Sequence, residues 1–319
     1  MNIKHLRLIK NEAAIEKDIS MFAYKKGANF QRHQGLKKEC SLKDAFQSKR
    51  YAVIEKNILQ ILVKYEVLNR FNIEKLLNKL CKLPVRLRKI DYSEYLQTLV
   101  EDGFVERFQL DNGNEFMKST MIVYRASKEV YEYLNCDGYR SDTEWIADTG
   151  SILEKLSLNQ WHISIVANYS EYVKEEKYKV VLGSNILDSY ILLRPDTSYF
   201  RNSRIGFYAV SFSKTDERLD VFLEKVSTLH AYMKQKSKIT DICFLIVTCE
   251  SMQNIEFAYQ AIQSYPSFKF LQVLFVLDVN TSRSNPLEWL YMCNKEEGSK
   301  FFQYRNIVLP IQKQKKDGG

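Results

Sequence analysis

The chain has 319 residues, a net charge of +8 and an ordinary apolar fraction of 45%. This length is enough for two domains that each bury a core. Only 11 glycines and 5 prolines are present, which excludes a collagen-like or disordered chain. The apolar runs at 242–249 and 271–279 are too short to span a membrane, and no signal peptide is visible. We therefore expect a cytoplasmic protein without membrane contact.

The six cysteines include no C-x-x-C pair, so the sequence predicts no zinc site and no other metal site. Cys243 and Cys249 fall in an apolar strand and just beyond it, where buried free thiols are the expected interpretation, so a reducing compartment is expected. No cofactor is predicted.

Positive charge is concentrated at the N-terminus. Residues 1–50 contain 12 basic and 5 acidic residues, whereas residues 51–150 contain 14 and 16. A basic arm ahead of nearly neutral domains is typical of an extension that binds phosphates, and a solvated tail without a partner is the alternative. One short helix is predicted in the arm, around Glu12–Phe22. The candidate DNA contacts in the arm are Lys25, Lys26, Arg32, Lys37 and Lys38.

Residues 51–140 are predicted to form a winged-helix domain. Apolar residues at helical spacing predict a first helix over 53–68. A second helix is predicted over 73–83, with Asn72 as its N-terminal cap and an end before Pro84.

A third helix is predicted over 92–103, with Asp91 as its cap and Gly103 as its stop. Two strand-forming runs flank Asp111–Asn114, which is a strong hairpin signal, and a helix over 128–134 closes the domain. Three helices followed by a hairpin are the arrangement of a winged helix. That fold also serves in protein interactions, so it does not by itself predict DNA binding.

Residues 150–312 are predicted to form a second, α/β domain. A helix is expected over 152–176, with Asn159 as a candidate break. The remaining elements are predicted as strands at 178–182, 188–194 and 205–213, a helix at 216–236, a strand at 241–248, a helix at 252–264 and a strand at 270–277. This order predicts one mixed sheet, with antiparallel strands first and parallel strands later.

The order helix, three strands, helix, strand resembles the restriction-endonuclease-like fold. The PD-(D/E)-x-K signature of that fold holds magnesium between carboxylates on neighbouring strands. Asp196 fills the first position of the signature and Lys214 the last, but the second carboxylate position is Phe212, and residues 207–214 contain no acid. Because one carboxylate holds a hard dication too weakly, the sequence predicts a degenerate site without a metal and without catalytic residues.

The two domains together resemble the replication-relaxation family of plasmids and integrative elements in Gram-positive bacteria. The residues that carry the resemblance are Arg194-Pro195-Asp196, the strand Gly206–Ser213, the segment from Glu224-Lys225 to Tyr232, the strand Asp241–Ser251, and His162 with Asn168. Val210–Ser213 departs from the family pattern, which has an acidic strand at this place. The resemblance implies a role in replication or mobilisation, with double-stranded DNA and the element's own proteins as partners.

In a winged helix, the third helix and the hairpin approach DNA. The outward positions of the third helix are Ser93, Glu94, Gln97, Thr98 and Glu101. Two acidic side chains and no basic one argue against ordinary reading of the DNA major groove. Gln97 and Thr98 are nevertheless able to hydrogen-bond to the edges of the bases. Further candidate DNA contacts are Arg86, Arg88 and Lys89 before this helix, and Lys118 and Arg125 in or beside the hairpin.

Three functions stay open at this point. The first is a non-catalytic DNA-binding protein in which the second domain is a scaffold or a homodimer interface. The second is a protein-interaction adaptor or transcriptional regulator that uses the winged helix. The third is a magnesium-dependent nuclease that combines Asp196 and Lys214 with a distant acid, Asp188 or Glu224.

Overall fold

The structure is a computed structural model. It describes residues 31–33, 41–47, 53–79, 92–111, 120–141, 149–182, 185–194, 204–212, 216–236, 241–268, 271–281, 286–294 and 303–307. Helices and two β-sheets are both present, so the predicted mixed α/β class is confirmed. Unit 1 contains residues 1–78 and 83–149, and unit 2 contains residues 79–82 and 150–319. Within the described ranges, no helix is both long and apolar enough to cross a membrane.

The elements of unit 1 are β1 (Gln31–His33), α1 (Leu42–Gln47), α2 (Val53–Tyr65), β2 (Leu68–Asn69), α3 (Arg70–Lys79), α4 (Ser93–Glu101), β3 (Val105–Asp111), β4 (Thr120–Ala126) and α5 (Lys128–Tyr133). The strands form an antiparallel sheet in the order β1-β3-β4-β2. In α2, the predicted apolar residues Ile54, Ile58 and Leu62 are buried. This helix ends earlier than predicted because Glu66 has a left-handed backbone (φ 64°) and Leu68 pairs with β4.

Part of the predicted N-terminal arm forms a strand and a helix that pack within unit 1. β1 extends the sheet at the edge of β3. α1 packs on α5, where the Leu42 N–H donates to Glu129 Oε1 at 2.8 Å and the rings of Phe46 and Tyr133 lie 5.1 Å apart. The helix predicted around residues 12–22 lies outside the described residues.

The starts of α3 and α4 differ from the predictions. α3 begins at Arg70, and the Asn69 side chain accepts a hydrogen bond from the Asn72 N–H at 2.9 Å. Asn69 is therefore the cap, because its side-chain oxygen precedes the helix and reaches the first N–H groups. Tyr92 occupies the cap position of α4 and makes no capping side-chain bond, while the predicted cap Asp91 lies outside the described residues.

The predicted stop of α4 is confirmed. Gly103 has a φ of 77°, a left-handed conformation that glycine adopts without strain. Its N–H donates to the Val100 carbonyl at 3.0 Å, and the Phe104 N–H donates to the Leu99 carbonyl at 3.0 Å. These two bonds form a Schellman motif, which turns the chain from α4 into β3.

The elements of unit 2 are α6 (Thr149–Asn168), β5 (Val173–Leu182), β6 (Asn185–Leu193), β7 (Arg204–Phe212), α7 (Asp216–Lys236), β8 (Asp241–Cys249), α8 (Met252–Gln263), β9 (Val273–Leu277), α9 (Asp278–Thr281), β10 (Leu290–Asn294) and β11 (Gln303–Ile307). The strands form one sheet in the order β11-β10-β9-β8-β7-β6-β5. β5, β6 and β7 are antiparallel, whereas β7, β8 and β9 are parallel, so the predicted change of direction is confirmed. The sequence predictions do not include β10 and β11.

α6 is shorter than the predicted helix, and it is continuous. The prediction extends to Glu176, but α6 ends at Asn168 and β5 begins at Val173. Asn159 does not break the helix. Its side chain is buried, and its Oδ1 accepts a hydrogen bond from the Tyr178 hydroxyl at 2.5 Å.

The two faces of the unit 2 sheet bury separate apolar cores. The core on the α6 face includes Trp161, Ile191, Phe207, Ile246 and Val276. The core on the face of α7 and α8 includes Val210, Phe212, Val226, Val247 and Ile255. Because side chains alternate along a strand, consecutive residues of β7 belong to opposite faces.

Replacing Gly103 by alanine is expected to lower the free energy of unfolding by about 1–2 kcal/mol, because alanine is strained at a positive φ. Urea denaturation followed by circular dichroism measures this loss. Asp102→Ala is the matched control, since Asp102 has an ordinary φ of −74°. A Gly103→Ala loss within about 0.5 kcal/mol of the control contradicts the role of the left-handed turn.

Candidate functional site

The exposed face of α4 in unit 1 is acidic. Glu94, Gln97, Thr98 and Glu101 are all exposed on it. Gln97 Nε2 donates to Glu101 Oε1 at 2.7 Å, and Thr98 Oγ1 donates to the Glu94 carbonyl at 3.0 Å. The two side chains predicted to read base edges are therefore bonded within their own helix, beside two carboxylates. To read a base, this face must bring negative charge towards a polyanion.

Arg125 is a buried residue, which corrects its prediction as a DNA contact. Its exposed fraction is 3%, its guanidinium pairs with the Glu106 carboxylate, and it lies 5.1 Å from the centre of the Phe108 ring. The register of the hairpin places Glu106 directly opposite Arg125, and this partner makes the burial of the cation tolerable. We therefore remove Arg125 from the candidate DNA contacts.

Most of the other predicted cationic contacts lie outside the described residues. They are Arg86, Arg88, Lys89, Lys118, Lys25, Lys26, Lys37 and Lys38. Arg32 lies in β1, where its backbone is opposite Phe108 of β3. The DNA contacts of these residues therefore stay sequence predictions.

The predicted layout of the nuclease residues in unit 2 needs a correction. β6 and β7 are antiparallel, with Leu193 opposite Ile205. The end of β6, which Asp196 follows, therefore lies beside the start of β7, whereas Lys214 follows the far end of β7. From Ile205 to Phe212 the strand rises about 23 Å, at ~3.3 Å per residue. Asp196 and Lys214, both outside the described residues, thus do not follow neighbouring strand ends.

An aromatic core residue occupies the position of the missing carboxylate. Phe212 is 1% exposed, and its ring centre lies 4.7 Å from that of Phe222 and 6.1 Å from that of Phe257. A carboxylate at this position would enter an apolar core without hydration. Among the described residues, no group of three His, Cys, Asp or Glu side chains could hold a metal ion.

The two distant acids considered for a nuclease lie on different elements. Asp188 is in β6, next to Ser189, which pairs with Ala209 of β7. Glu224 is exposed on α7. Of the two, Asp188 is in the half of β6 that lies beside the end of β7.

A buried polar cluster that the sequence predictions missed lies at the carboxyl ends of β7, β8 and β9. Ser211 and Thr248 are register partners, and Asp278 directly follows β9. Gln160 of α6 donates to the Asp278 carbonyl at 3.2 Å and to Thr281 Oγ1 at 2.9 Å. None of the five residues is more than 8% exposed. α/β sheets bind ligands in the crevice outside the carboxyl ends of parallel strands, and these buried side chains lie at that edge of the unit 2 sheet.

This cluster contains polar groups but no activated nucleophile. Ser211 Oγ, Thr248 Oγ1 and Gln160 Oε1 make no hydrogen bonds to the described residues. Burial raises the pKa of the Cys249 thiol well above its usual value, and the negative charge of Asp278 raises it further. The thiol is therefore held in its neutral form, which is a poor nucleophile and a poor metal ligand.

No family model, curated protein or solved structure matches this chain. Its function is therefore inferred from the geometry of each unit and from the charges of the sequence.

Phe212→Ala is expected to lower the free energy of unfolding by about 3–5 kcal/mol, because it leaves a cavity beside two aromatic rings. Ser211→Ala, on the other face of the same strand, is the matched control. It is expected to change stability by less than about 1 kcal/mol, since the Ser211 hydroxyl has no hydrogen bond to a described residue. Urea denaturation measures both changes, and equal losses would show that Phe212 is not a core residue.

Proposed function

We propose that the chain is a non-catalytic DNA-binding protein and that unit 1 is a winged helix-turn-helix domain. The observation that carries this proposal is the order α2, β2, α3, α4 and then the hairpin β3–β4, with β2 paired to β4. In a winged helix, the third helix and the hairpin lie on the side that approaches duplex DNA. Four of the predicted cationic contacts are next to these two elements in the sequence.

The proposed DNA contacts are made to phosphates more than to base edges. Arg86, Arg88 and Lys89 precede α4 in the sequence, and Lys118 lies between β3 and β4. The exposed face of α4 carries carboxylates instead. Cations that flank an acidic helix bind the DNA backbone and orient the protein, with little preference for sequence.

For unit 2 we propose a restriction-endonuclease-like domain that lacks a nuclease site. In support, α6, the three antiparallel strands β5, β6 and β7, α7 and the parallel strand β8 follow one another in the order of that fold. The burial of Phe212 argues against catalysis. The proposed role is in replication or mobilisation of a plasmid or integrative element, as in the replication-relaxation family, with unit 2 as a scaffold.

Replacing Arg86, Arg88 and Lys89 together by glutamine is expected to weaken binding to duplex DNA. Each phosphate contact contributes about 0.9 to the slope of log affinity against log salt, so the slope should fall by about 2.7. Fluorescence anisotropy with a labelled duplex, repeated from low to physiological salt, measures affinity and slope.

The matched control replaces Lys43, Lys64 and Lys128 by glutamine. These exposed lysines lie on α1, α2 and α5, and their loss changes the net charge equally. The control is expected to keep the wild-type slope. Equal effects of the two triple variants contradict a local phosphate site, and wild-type binding that is absent at low salt or insensitive to salt rejects DNA binding altogether.

The acidic face of α4 favours a second candidate, a protein-interaction adaptor. Glu94 and Glu101 are exposed on one helical face, together with Gln97 and Thr98. A basic protein surface complements such a face, whereas a phosphate backbone repels it. In this alternative α4 contacts a protein, and its acids do not affect DNA affinity.

Replacing Glu94 and Glu101 by glutamine separates the two candidates. If α4 approaches DNA, the double variant is expected to bind duplex about fivefold more tightly, because about 1 kcal/mol of repulsion is removed. The matched control is Glu132→Gln with Asp137→Asn, two exposed acids elsewhere in unit 1. In the same anisotropy assay, unchanged affinity of the α4 variant favours the adaptor, and an equal gain in the control indicates an effect of net charge alone.

A further inference from the structure

Arg125 connects the hairpin of unit 1 to the segment that follows α5. We call this segment, residues 134–141, the strap. It has no helix or strand, and Asn135, Cys136, Asp137 and Gly138 are exposed. The strap leads from α5 towards the boundary of unit 1 at residue 149.

The Arg125 guanidinium uses all three of its nitrogens. Nε donates to Glu106, Nη1 donates to the Arg140 carbonyl at 3.0 Å, and Nη2 donates to the Tyr139 hydroxyl at 3.4 Å. The guanidinium also lies 5.1 Å from the ring centre of Phe108 and 5.2 Å from that of Tyr139. One buried cation therefore contacts both the opposite strand of the hairpin and the strap.

The first half of the strap is fixed in a different way, by the end of α5. The Asn135 N–H donates to the Glu132 carbonyl at 3.2 Å, and the Cys136 N–H donates to the Tyr131 carbonyl at 2.9 Å. Asn135 has a left-handed φ of 50°, so these bonds form a Schellman motif that does not involve Arg125. In the second half of the strap, the Tyr139 ring also packs on the Tyr131 ring of α5, with ring centres 5.7 Å apart, and Arg125 binds the Arg140 carbonyl. Loss of the Arg125 contacts therefore acts most directly on the backbone at Arg140.

The Arg125 contacts depend on the register of the hairpin. Glu106 and Arg125 are directly opposite each other in β3 and β4. A shift of one residue moves a strand's side chains to the other face of the sheet, which separates the pair. Both side chains are buried, so each charge needs the other to stay inside the protein.

We propose that Arg125 is a latch that couples the position of the strap to the pairing of β3 with β4. With the latch closed, the Arg140 carbonyl is bound, and the backbone at Arg140 is held in one conformation, which slows cleavage by proteases. When the hairpin is disturbed, Glu106 no longer orients the guanidinium, and the second half of the strap is released. A ligand that distorts the hairpin would thereby change the chain segment that leads out of unit 1. This coupling goes beyond the proposed function, because it does not depend on whether the ligand that distorts the hairpin is DNA or a protein.

Limited trypsin digestion of the full chain tests the latch. Arg140 is the one basic residue of the strap, so cleavage at Arg140–Ser141 reports its release. Arg125→Met, combined with Glu106→Gln to avoid a buried unpaired charge, is expected to speed this cleavage at least about tenfold, since proteolysis follows the population of the opened state. Mass spectrometry quantifies the cut at early times.

Two further variants make the result specific. Arg107→Met removes a neighbouring cation and trypsin site of β3 and is expected to leave cleavage after Arg140 unchanged. Tyr139→Phe leaves the Glu106–Arg125 pair and the ring contact with Tyr131 intact and removes only the hydroxyl that accepts from Arg125. It is expected to speed cleavage, which decides the question if the double variant fails to fold by circular dichroism. Wild-type rates in the folded latch variants overturn the proposal. So does a wild-type strap that is cleaved as fast as the urea-unfolded chain.

Discussion

The change of strand direction within the unit 2 sheet determines where a site can form in that unit. β7 runs against β6 and along β8 and β9. The ends of β7, β8 and β9 therefore lie at one edge of the sheet, and the end of β6 lies at the opposite edge. The first edge therefore brings together Ser211, Thr248 and Asp278, because each of them lies at the end of its strand or directly after it. Metal-binding residues that follow the end of β6 and the end of β7 lie beyond opposite edges of the sheet. They come together only if the chain doubles back along the sheet.

Side chains alternate along β7, and this alternation determines which residues each face of the unit 2 sheet buries. Phe212 enters the core between the sheet and α7 and α8, and Ser211 lies on the α6 face. An aromatic ring at position 212 contributes apolar burial where a carboxylate would lose its hydration. This apolar packing contributes to the stability of unit 2.

The sequence predicted those features that depend on local chemistry. The apolar spacing of α2, the stop at Gly103 and the order of the first strands of unit 2 follow from periodicity and turn chemistry. It did not predict β1, because a three-residue strand has too little periodicity to detect. The burial of Arg125 depends on Glu106, a partner 19 residues away that only the register brings close. The polar cluster of unit 2 left one signal, the acid Asp278 directly after an apolar strand.

In unit 1, the position of the basic residues matters more for binding a partner than their number. Arg125 lies in the hairpin, yet its charge is neutralised in the interior. The exposed lysines of α1, α2 and α5 are spread over separate elements, whereas residues 86–89 contain three cations in four positions. The acidic face of α4 follows this cluster in the sequence, and the two segments attract partners of opposite charge. The two proposed functions therefore do not exclude each other, because the proposed phosphate contacts and the acidic face belong to different segments of unit 1.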